Sequence, residues 1–266
     1  MHEPLQKHPY VIVEQLANSL PTRGSKSKGH NVIFDGLSFS LNAGEFTTIF
    51  GPNGSGKTTL LNLLAGLIEP DSGTILIERR HPFPGIATYL FQNFKDSLFP
   101  WRSVEGNLLF PLECQHLNED EQRQRLSDLI GEFDFKIPLK ARVYELSVGQ
   151  QQMVALARAL LSRPKFLLMD EPFSALDFGA RRFMQENLLT YWKKYSATIL
   201  LVSHDIDEAI YLGQRVLLFP PHPITTIGEI VVTLPFPRHR DMLYTQEHFH
   251  IRSEALRFFD EKTEPD

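Results

Sequence analysis

Alternating apolar and polar residues mark two short segments near the start of the chain. Leu37, Phe39 and Leu41 alternate with small or polar residues, and residues 45–50 resume an extended pattern after a short turn. This pattern predicts a strand, a hairpin turn and a second strand. The polar, turn-rich segments 1–10 and 21–30 predict a frayed start and a flexible loop.

Strand and helix patterns then alternate along most of the chain. A leucine-rich helical segment lies at 57–65, and a second helical segment at 179–194 repeats a large apolar residue every four positions. Short apolar runs typical of strands lie at 74–77, 86–91, 166–169 and 197–202. This alternation predicts an α/β fold with a mainly parallel sheet that helices cover on both faces.

One long part of the chain lacks strand patterns. From residue 93 to about residue 158 the β-branched runs disappear, and the segment 119–133 places apolar residues on one helical face. Those residues are Leu126, Leu129, Ile130 and Phe133. The pattern therefore predicts a helical subdomain inserted between two strands of the sheet.

Composition and charge narrow the class of protein. The 266 residues are 42% hydrophobic and 22% charged, which fits one large globular domain with an insertion and excludes a disordered or fibrous chain. The chain has 27 Lys and Arg against 32 Asp and Glu, a formal charge of −5. Because it lacks a basic excess, we expect no nucleic acid as its main partner.

The length of the apolar runs bears on location. No run approaches the roughly 18 residues that a membrane span requires, and the first residues lack the apolar stretch of a secretory signal. We therefore expect a chain that does not cross a bilayer and stays in the cytosol. Cys114 is the only cysteine, which excludes an internal disulfide, and we expect it to be half-buried.

The strongest chemical signal is the glycine-rich loop at 51–58. It satisfies the pattern G-x-x-x-x-G-K-[ST] between a predicted strand and a predicted helix. Its glycines let backbone N–H groups approach phosphates, Lys57 can reach the β and γ phosphates, and the Thr58 hydroxyl can bind Mg²⁺. The sequence thus predicts a nucleoside triphosphate site formed by Gly51, Pro52, Asn53, Gly54, Ser55, Gly56, Lys57, Thr58 and Thr59.

Two acidic residues follow the apolar run 166–169. Asp170 ends that run at the carboxyl edge of the predicted sheet, where it can join the Mg²⁺ shell. Glu171 lies one residue further and can activate a water molecule for attack on the γ-phosphate. The pair therefore indicates hydrolysis and not binding alone.

At this point the chain resembles the ATP-binding subunits of ABC transporters. The resemblance covers most of the chain and rests on six motifs in the family's order. They are the loop 51–58, Gln92, the signature 146–150, the acidic segment 170–172, the segment 174–177 and His204. It implies a P-loop NTPase (RecA-like) core with an antiparallel β subdomain and an inserted α-helical subdomain.

The resemblance also implies a role for each motif and a division of the single domain. Gln92 would contact Mg²⁺ or the attacking water, and His204 would hold the γ-phosphate and Glu171 in line. Ser147, Gly149, Gln150 and Asp177 would serve the ATP bound to a second subunit, so the resemblance implies a homodimer or pseudo-dimer with ATP at its interface. The core would comprise 1–92 and 163–235, the helical subdomain 93–162 and a helical extension 236–266.

Two residues depart from the family pattern. Val148 stands where the signature usually has glycine, and a β-branched residue narrows the backbone choices near a phosphate. Leu20 stands where the family usually stacks an aromatic ring on adenine. Base binding would then rest on an apolar contact or on a residue that the sequence does not identify.

A finer resemblance concerns the segments 98–101 and 234–238, with Val104 and Asn107. They resemble the nitrate, sulfonate and taurine branch of importer ATPases, which also includes bicarbonate and thiamine-precursor systems. That branch implies an ATPase on the cytoplasmic face of the inner membrane, two transmembrane permease subunits and an external solute-binding protein. We expect the segment from Gln92 to Asn107 to dock the permease, because it carries Phe94, Leu98, Phe99 and Trp101 in a predicted surface loop. The alternative is that these apolar residues fill a small core between the subdomains.

Two alternatives stay open at this stage. One is a non-transport ABC ATPase that acts on nucleic acid or translation, although such proteins usually carry tandem cassettes or long insertions. The other is a regulatory subunit with little turnover, an interpretation motivated only by Val148.

Overall fold

The structure is a computed structural model that describes residues 9–21, 30–133 and 135–263. Most of the predicted frayed start and of the predicted flexible loop lies outside these residues. Pro9 and Tyr10, at the end of the predicted frayed start, belong to a strand. Pro21 and His30, at the two ends of the predicted loop, also belong to strands. Those four residues therefore differ from the prediction.

The described residues form nine strands in two sheets. The smaller sheet is antiparallel with the order β2-β1-β4, and the larger has the order β5-β6-β7-β3-β8-β9. The strands are β1 (Pro9–Pro21), β2 (His30–Asn42), β3 (Phe46–Phe50), β4 (Ser72–Ile77), β5 (Thr88–Leu90), β6 (Phe166–Asp170), β7 (Thr198–Ser203), β8 (Arg215–Leu218) and β9 (Gly228–Val231).

The predicted hairpin between β2 and β3 is wrong. β2 pairs with β1 in the small sheet, whereas β3 pairs in parallel with β7 and β8 in the large one. Four of the five residues of β3 are buried, while β2 alternates buried and exposed positions over its second half. A strand buried on both faces belongs inside a parallel sheet, so the turn that precedes β3 passes the chain from one sheet to the other.

Seven α-helices complete the described part of the chain. They are α1 (Lys57–Leu64), α2 (Val104–Cys114), α3 (Glu119–Glu132), α4 (Val148–Leu161), α5 (Phe178–Tyr195), α6 (Ile206–Leu212) and α7 (Gln246–Thr263). In the chain, α2, α3 and α4 lie between β5 and β6, where the sequence places the helical insertion. The exact division into core, helical subdomain and C-terminal extension stays a prediction.

Buried apolar residues form one cluster on each side of the large sheet. On one side the cluster includes α2, α4 and α5, and on the other it includes α1 and the small sheet. A third cluster packs α7 against α6 and β9 through Ile206, Ile251 and Ala255. The α/β fold with a mainly parallel sheet covered on both faces is therefore confirmed.

The one cysteine differs from its predicted environment. Cys114 is the last residue of α2, and its side chain is exposed rather than half-buried. The buried side of the same helix packs on α4 through Leu108 and Leu112.

Candidate nucleotide site

The glycine-rich loop connects β3 to α1 at the edge of the large sheet. Gly54 and Gly56 have φ of 81° and 91°, in the left-handed region that favours glycine. Gly51 is required for a different reason, because a Cβ there would lie 2.3 Å from the carbonyl oxygen of Phe219. The loop thus keeps its backbone N–H groups at the start of α1, where the helix dipole favours an anion.

Lys57 is enclosed by this loop. Its side chain is buried, and Nζ donates hydrogen bonds to the carbonyl oxygens of Gly51 at 2.9 Å and Pro52 at 2.7 Å. Burial lowers the pKa of Lys57, while the carboxylates of Glu171 and Asp170 act in the opposite direction. The buried hydroxyl of Ser55 has no hydrogen-bond partner among the described residues, and a bound phosphate or water would ordinarily satisfy such a group.

Asp170 ends β6 beside the start of α1. The Thr58 hydroxyl donates a hydrogen bond of 2.7 Å to Oδ2 of Asp170. Burial raises the pKa of Asp170, and the hydrogen bond from Thr58 lowers it in part. A hydroxyl and a carboxylate in contact are the oxygen ligands that Mg²⁺ prefers, so these two residues fit the metal.

The protein alone supplies few metal ligands. Within residues 9–21, 30–133 and 135–263, no group of three or more His, Cys, Asp and Glu side chains could hold an ion. A Mg²⁺ ion usually retains several waters and binds through one or two carboxylates and the phosphates of the substrate.

The side chains of Gln92 and His204 both contact one carboxylate oxygen of Glu171. Nε2 of Gln92 lies 3.3 Å from Oε2 of Glu171, and Nδ1 of His204 lies 3.3 Å from the same oxygen. The backbone explains this meeting, since the three residues follow β5, β6 and β7, which are adjacent parallel strands. Their carboxyl ends lie at the same edge of the sheet, as expected for a ligand site in an open α/β fold.

The backbone of Glu171 is itself unusual. Its φ of 50° lies in the left-handed region, which few residues other than glycine adopt. The Glu171 N–H is nevertheless held by a hydrogen bond of 3.1 Å to the carbonyl oxygen of Val202 in β7. Strained backbone that the surrounding structure fixes in this way is common at functional sites.

A buried carboxylate that the sequence did not reveal supports the turn of His204. Glu208 in α6 accepts hydrogen bonds from the Ser203 hydroxyl and, at 2.7 Å, from the Gln185 amide. Ser203 in turn accepts a bond of 3.0 Å from the Asp205 N–H, so the network fixes the chain on both sides of His204. Burial raises the pKa of Glu208, and the hydrogen bond from Ser203 lowers it. No sequence motif would have identified this residue.

Most of the predicted phosphate, metal and catalytic residues line a single cleft of about 570 Å³. Those that line it are Asn53, Gly54, Gly56, Lys57, Thr58, Thr59, Gln92, Asp170, Glu171 and His204. Gly51, Pro52 and Ser55 belong to the same loop but do not line the cleft. Leu20 also lines the cleft, together with Asn31, Ile33 and His222, which sequence reasoning did not single out.

The predicted signature residues lie outside this cleft. Ser147 caps α4, since its hydroxyl accepts from the Gln150 N–H at 3.3 Å and the Gln150 side chain accepts from the Ser147 N–H at 2.9 Å. Gly149 lies in the first turn of α4 beside Leu176. Asp177 caps α5 by accepting from the Ala180 N–H at 2.9 Å.

Val148 fits the signature without strain. The helix begins at Val148, three residues earlier than the predicted start at residue 151, because Ser147 serves as its cap. The backbone at Val148 is not in the left-handed region, so a β-branched side chain is allowed at this position. The valine is therefore compatible with the helical backbone at this position, and its side chain is exposed.

The fold and the cleft together define a P-loop nucleoside triphosphatase. A family model described as "ABC transporter" matches residues 34–174, more than half of the chain. The chain belongs to the ABC transporter family, and it is an ATPase of that family. Both predictions are confirmed.

Known relatives match nearly the whole chain. The aliphatic sulfonates import ATP-binding protein SsuB of Bacillus subtilis is 39% identical over 88% of this chain and 89% of its own length. The bicarbonate transport ATP-binding protein CmpD of Synechococcus elongatus is 33% identical over 94% of this chain and 90% of its own. Other matched proteins are named for nitrate and taurine import, at 36% to 40% identity.

A solved structure shows the same fold. The MJ0796 bacterial ABC transporter cassette superposes with a TM-score of 0.72, covering 85% of this chain and all of its own, at 24% identity.

Among the described helices, none is both long and apolar enough to cross a membrane.

Proposed function

We propose that the chain hydrolyses ATP in the 570 Å³ cleft and thereby energises an importer for a small solute. The observation that carries the hydrolytic role is the convergence of Gln92 and His204 on Glu171, beside the contact between Thr58 and Asp170. One edge of the sheet thus brings together the phosphate loop, the side chains that would hold Mg²⁺ and the base that would activate water.

The loop would hold the triphosphate. Its backbone N–H groups and the Lys57 ammonium supply positive charge, while Thr59 adds a hydroxyl at the start of α1. Thr58, Asp170 and Gln92 would hold Mg²⁺, which neutralises phosphate charge when bound. The groups that would bind the phosphates and those that would bind Mg²⁺ lie next to helix α1 and strands β5 and β6. These elements would fix the positions of the phosphates and the metal relative to each other.

Glu171 would act as the general base. Its Oε2 is engaged by Gln92 and His204, which leaves Oε1 to accept a proton from water. His204, with its side chain 55% exposed at the cleft, would orient both the carboxylate and the terminal phosphate. Glu208 would act indirectly, by holding the Ser203 turn that carries His204.

The signature residues would act on the nucleotide of a second subunit. Ser147 and Gly149 lie at the start of the 14-residue helix α4, whose exposed N-terminus presents N–H groups suited to a phosphate. Gln150 and Asp177 cap the two neighbouring helix starts and would shape this surface. Support comes from the family resemblance and from the MJ0796 cassette, which is described as dimeric. We therefore propose a homodimer or pseudo-dimer with ATP at its interface.

The transport role rests on the relatives. All of those reported above are named as import or transport ATP-binding proteins, for sulfonates, bicarbonate, nitrate or taurine. They favour an importer and give no support to an ABC ATPase that acts on nucleic acid or translation. The partners would be two permease subunits and an external solute-binding protein, with this chain on the cytoplasmic face of the inner membrane.

Uptake by the assembled transporter tests this role. We expect cells that express the chain with its permease and binding protein to accumulate one of four solutes: nitrate, bicarbonate, taurine or an alkanesulfonate. Uptake should require ATP and disappear with Glu171→Gln. Full uptake by the Glu171→Gln transporter, or tight binding of duplex DNA or ribosomes in place of the permease, would contradict the proposal.

The predicted docking loop is partly wrong. Phe94 and Leu98 are buried and belong to the core, with exposed fractions of 5% and 4%. Asn107 fixes the loop, because its amide accepts from the Phe99 N–H at 2.8 Å and donates to the Phe99 carbonyl at 3.0 Å. Phe99 is half-buried, and Trp101 is 70% exposed and is the most accessible of the four apolar groups for a permease.

Trp101→Ala should separate docking from folding. Because the Trp101 side chain is largely exposed, the isolated chain should keep its melting temperature and ATP affinity, while co-purification with the permease should fall at least tenfold. Phe94→Ala is the matched control, since truncation of a buried aromatic residue should destabilise the chain by about 3–5 kcal/mol. Undiminished co-purification of Trp101→Ala would exclude this tryptophan as a docking group.

A further inference from the structure

One end of the nucleotide cleft is lined by residues that the phosphate chemistry does not use. They are Leu20 at the end of β1, Asn31 and Ile33 at the start of β2, and His222 in the segment between β8 and β9. A nucleotide whose triphosphate occupies the loop 51–58 must place its sugar and base elsewhere in the same cleft. The inference therefore rests on the proposed position of ATP.

The imidazole ring of His222 is held in place by a side chain from β2. Nδ2 of Asn31 lies 3.3 Å from Nε2 of His222, and these residues are 191 positions apart in the sequence. This contact ties one nitrogen of the imidazole to the Asn31 amide and so restrains the orientation of the ring.

The backbone around His222 is attached to the site at both ends. After it, the Ile224 N–H donates to the Ile33 carbonyl at 2.9 Å, and the Asp35 N–H donates to the Ile224 carbonyl at 3.0 Å. Before it, the Phe219 N–H donates to the Phe50 carbonyl at 2.9 Å, directly before the glycine-rich loop. These bonds fix the position of the ring relative to the phosphate loop.

The chemistry of this end of the cleft suits a nucleobase. Leu20 and Ile33 supply apolar surface, and Leu20 is 37% exposed. The described lining residues include a second imidazole, that of His204, but it is already engaged with Glu171 at the phosphate end. His222 is half-buried and brings a planar ring to the region that lacks an aromatic residue at position 20.

We propose that His222, positioned by Asn31, contacts the base of the bound nucleotide opposite Leu20. The imidazole packs its face against the base, a contact that needs no hydrogen bond between the two rings. Asn31 acts indirectly as a positioning residue, since its amide restrains the orientation of the ring. The base-binding group is thus supplied by a segment about 200 residues from the strand where the sequence left the question open.

Calorimetric titration of the full chain with ATP, 2′-deoxy-ATP and inorganic tripolyphosphate, each with Mg²⁺, tests this contact. In His222→Ala the affinity for both nucleotides should fall roughly 5- to 20-fold, the range expected when an aromatic partner of a base is removed. Tripolyphosphate should bind as tightly as it does to the wild type. His222→Phe, which keeps a planar ring, should recover most of the ATP affinity, and Asn31→Ala should lose part of it.

His81→Ala, which removes an exposed histidine away from the cleft, is the matched control and should bind like the wild type. Unchanged ATP affinity in His222→Ala, an equal loss for tripolyphosphate, or a loss that vanishes with 2′-deoxy-ATP would each overturn the base contact. A wrong position of the phosphates would give a different result. In that case Lys57→Met would bind both ATP and tripolyphosphate as tightly as the wild type does.

Discussion

Replacement of Glu171 by glutamine should reduce ATP hydrolysis by about 10²- to 10⁴-fold, the usual contribution of a positioned general base. The amide keeps the shape of the carboxylate and can still meet Gln92 and His204, but it cannot accept a proton from water. ATP affinity should therefore remain close to that of the wild type. Phosphate release by the assembled transporter and equilibrium binding of ATP measure the two quantities separately.

The same variant reports on dimerisation. With ATP and Mg²⁺, Glu171→Gln should appear as a dimer in light scattering, whereas the nucleotide-free chain should be largely monomeric. Glu254→Gln changes an exposed acid in α7 and serves as the matched control, with normal turnover expected. Turnover of Glu171→Gln near the wild-type rate would refute the base assignment. Very slow turnover by the wild type would favour a regulatory subunit.

Replacement of Lys57 by methionine should weaken ATP binding by roughly 100-fold or more. Hydrogen bonds to charged groups contribute about 1.5–3 kcal/mol each, and the ammonium would make at least two with the phosphates. Methionine retains the apolar stem in the buried position of Lys57, so the chain should still fold, with a melting temperature lowered by the lost bonds to the Gly51 and Pro52 carbonyls. Calorimetric titration with ATP and with tripolyphosphate should show the same proportional loss, because both ligands share the phosphate contact.

The control for this loss is a lysine far from the loop. Lys165 has 81% of its side chain exposed and pairs with Glu78 at the surface, at 3.5 Å. Lys165→Met removes the same charge and should leave ATP binding unchanged, because exposed ion pairs contribute little. If both variants lost affinity equally, net charge rather than a specific contact would explain the result.

Patterns that depend on neighbouring residues were predicted well. The loop 51–58, the strand that ends at Asp170 and the helix of residues 179–194 lie where the sequence placed them, within one or two residues. Each of these elements depends on residues that are close together in the sequence. Glycines mark the loop, and the spacing of apolar residues marks the buried faces of the strand and the helix. The start of α4 was missed by three residues because the capping role of Ser147 was not considered.

Pairing between distant segments was predicted less well. The prediction of a hairpin was wrong because a turn between two apolar segments does not determine which strands those segments pair with. The partners of β3 lie more than 140 residues away in the sequence. Phe94 and Leu98 were expected on the surface because they lie in an irregular segment. In fact they pack on α4, which contributes the Arg158 side chain to hold the segment at the Ser97 carbonyl.

The sequence by itself determined the class of chemistry. Phosphate binding depends on a contiguous loop with its glycines, and metal binding and base catalysis depend on two adjacent acids. The sequence also determined the alternation of strands and helices, because that pattern too is formed by residues close together in the chain. The tertiary structure decided which oxygen of Glu171 receives Gln92 and His204, and that Glu208 fixes the turn of His204. It also brought Asn31 and His222 into the cleft from the two ends of the chain. Such contacts depend on strand order and on packing across the sheet, which no short segment encodes.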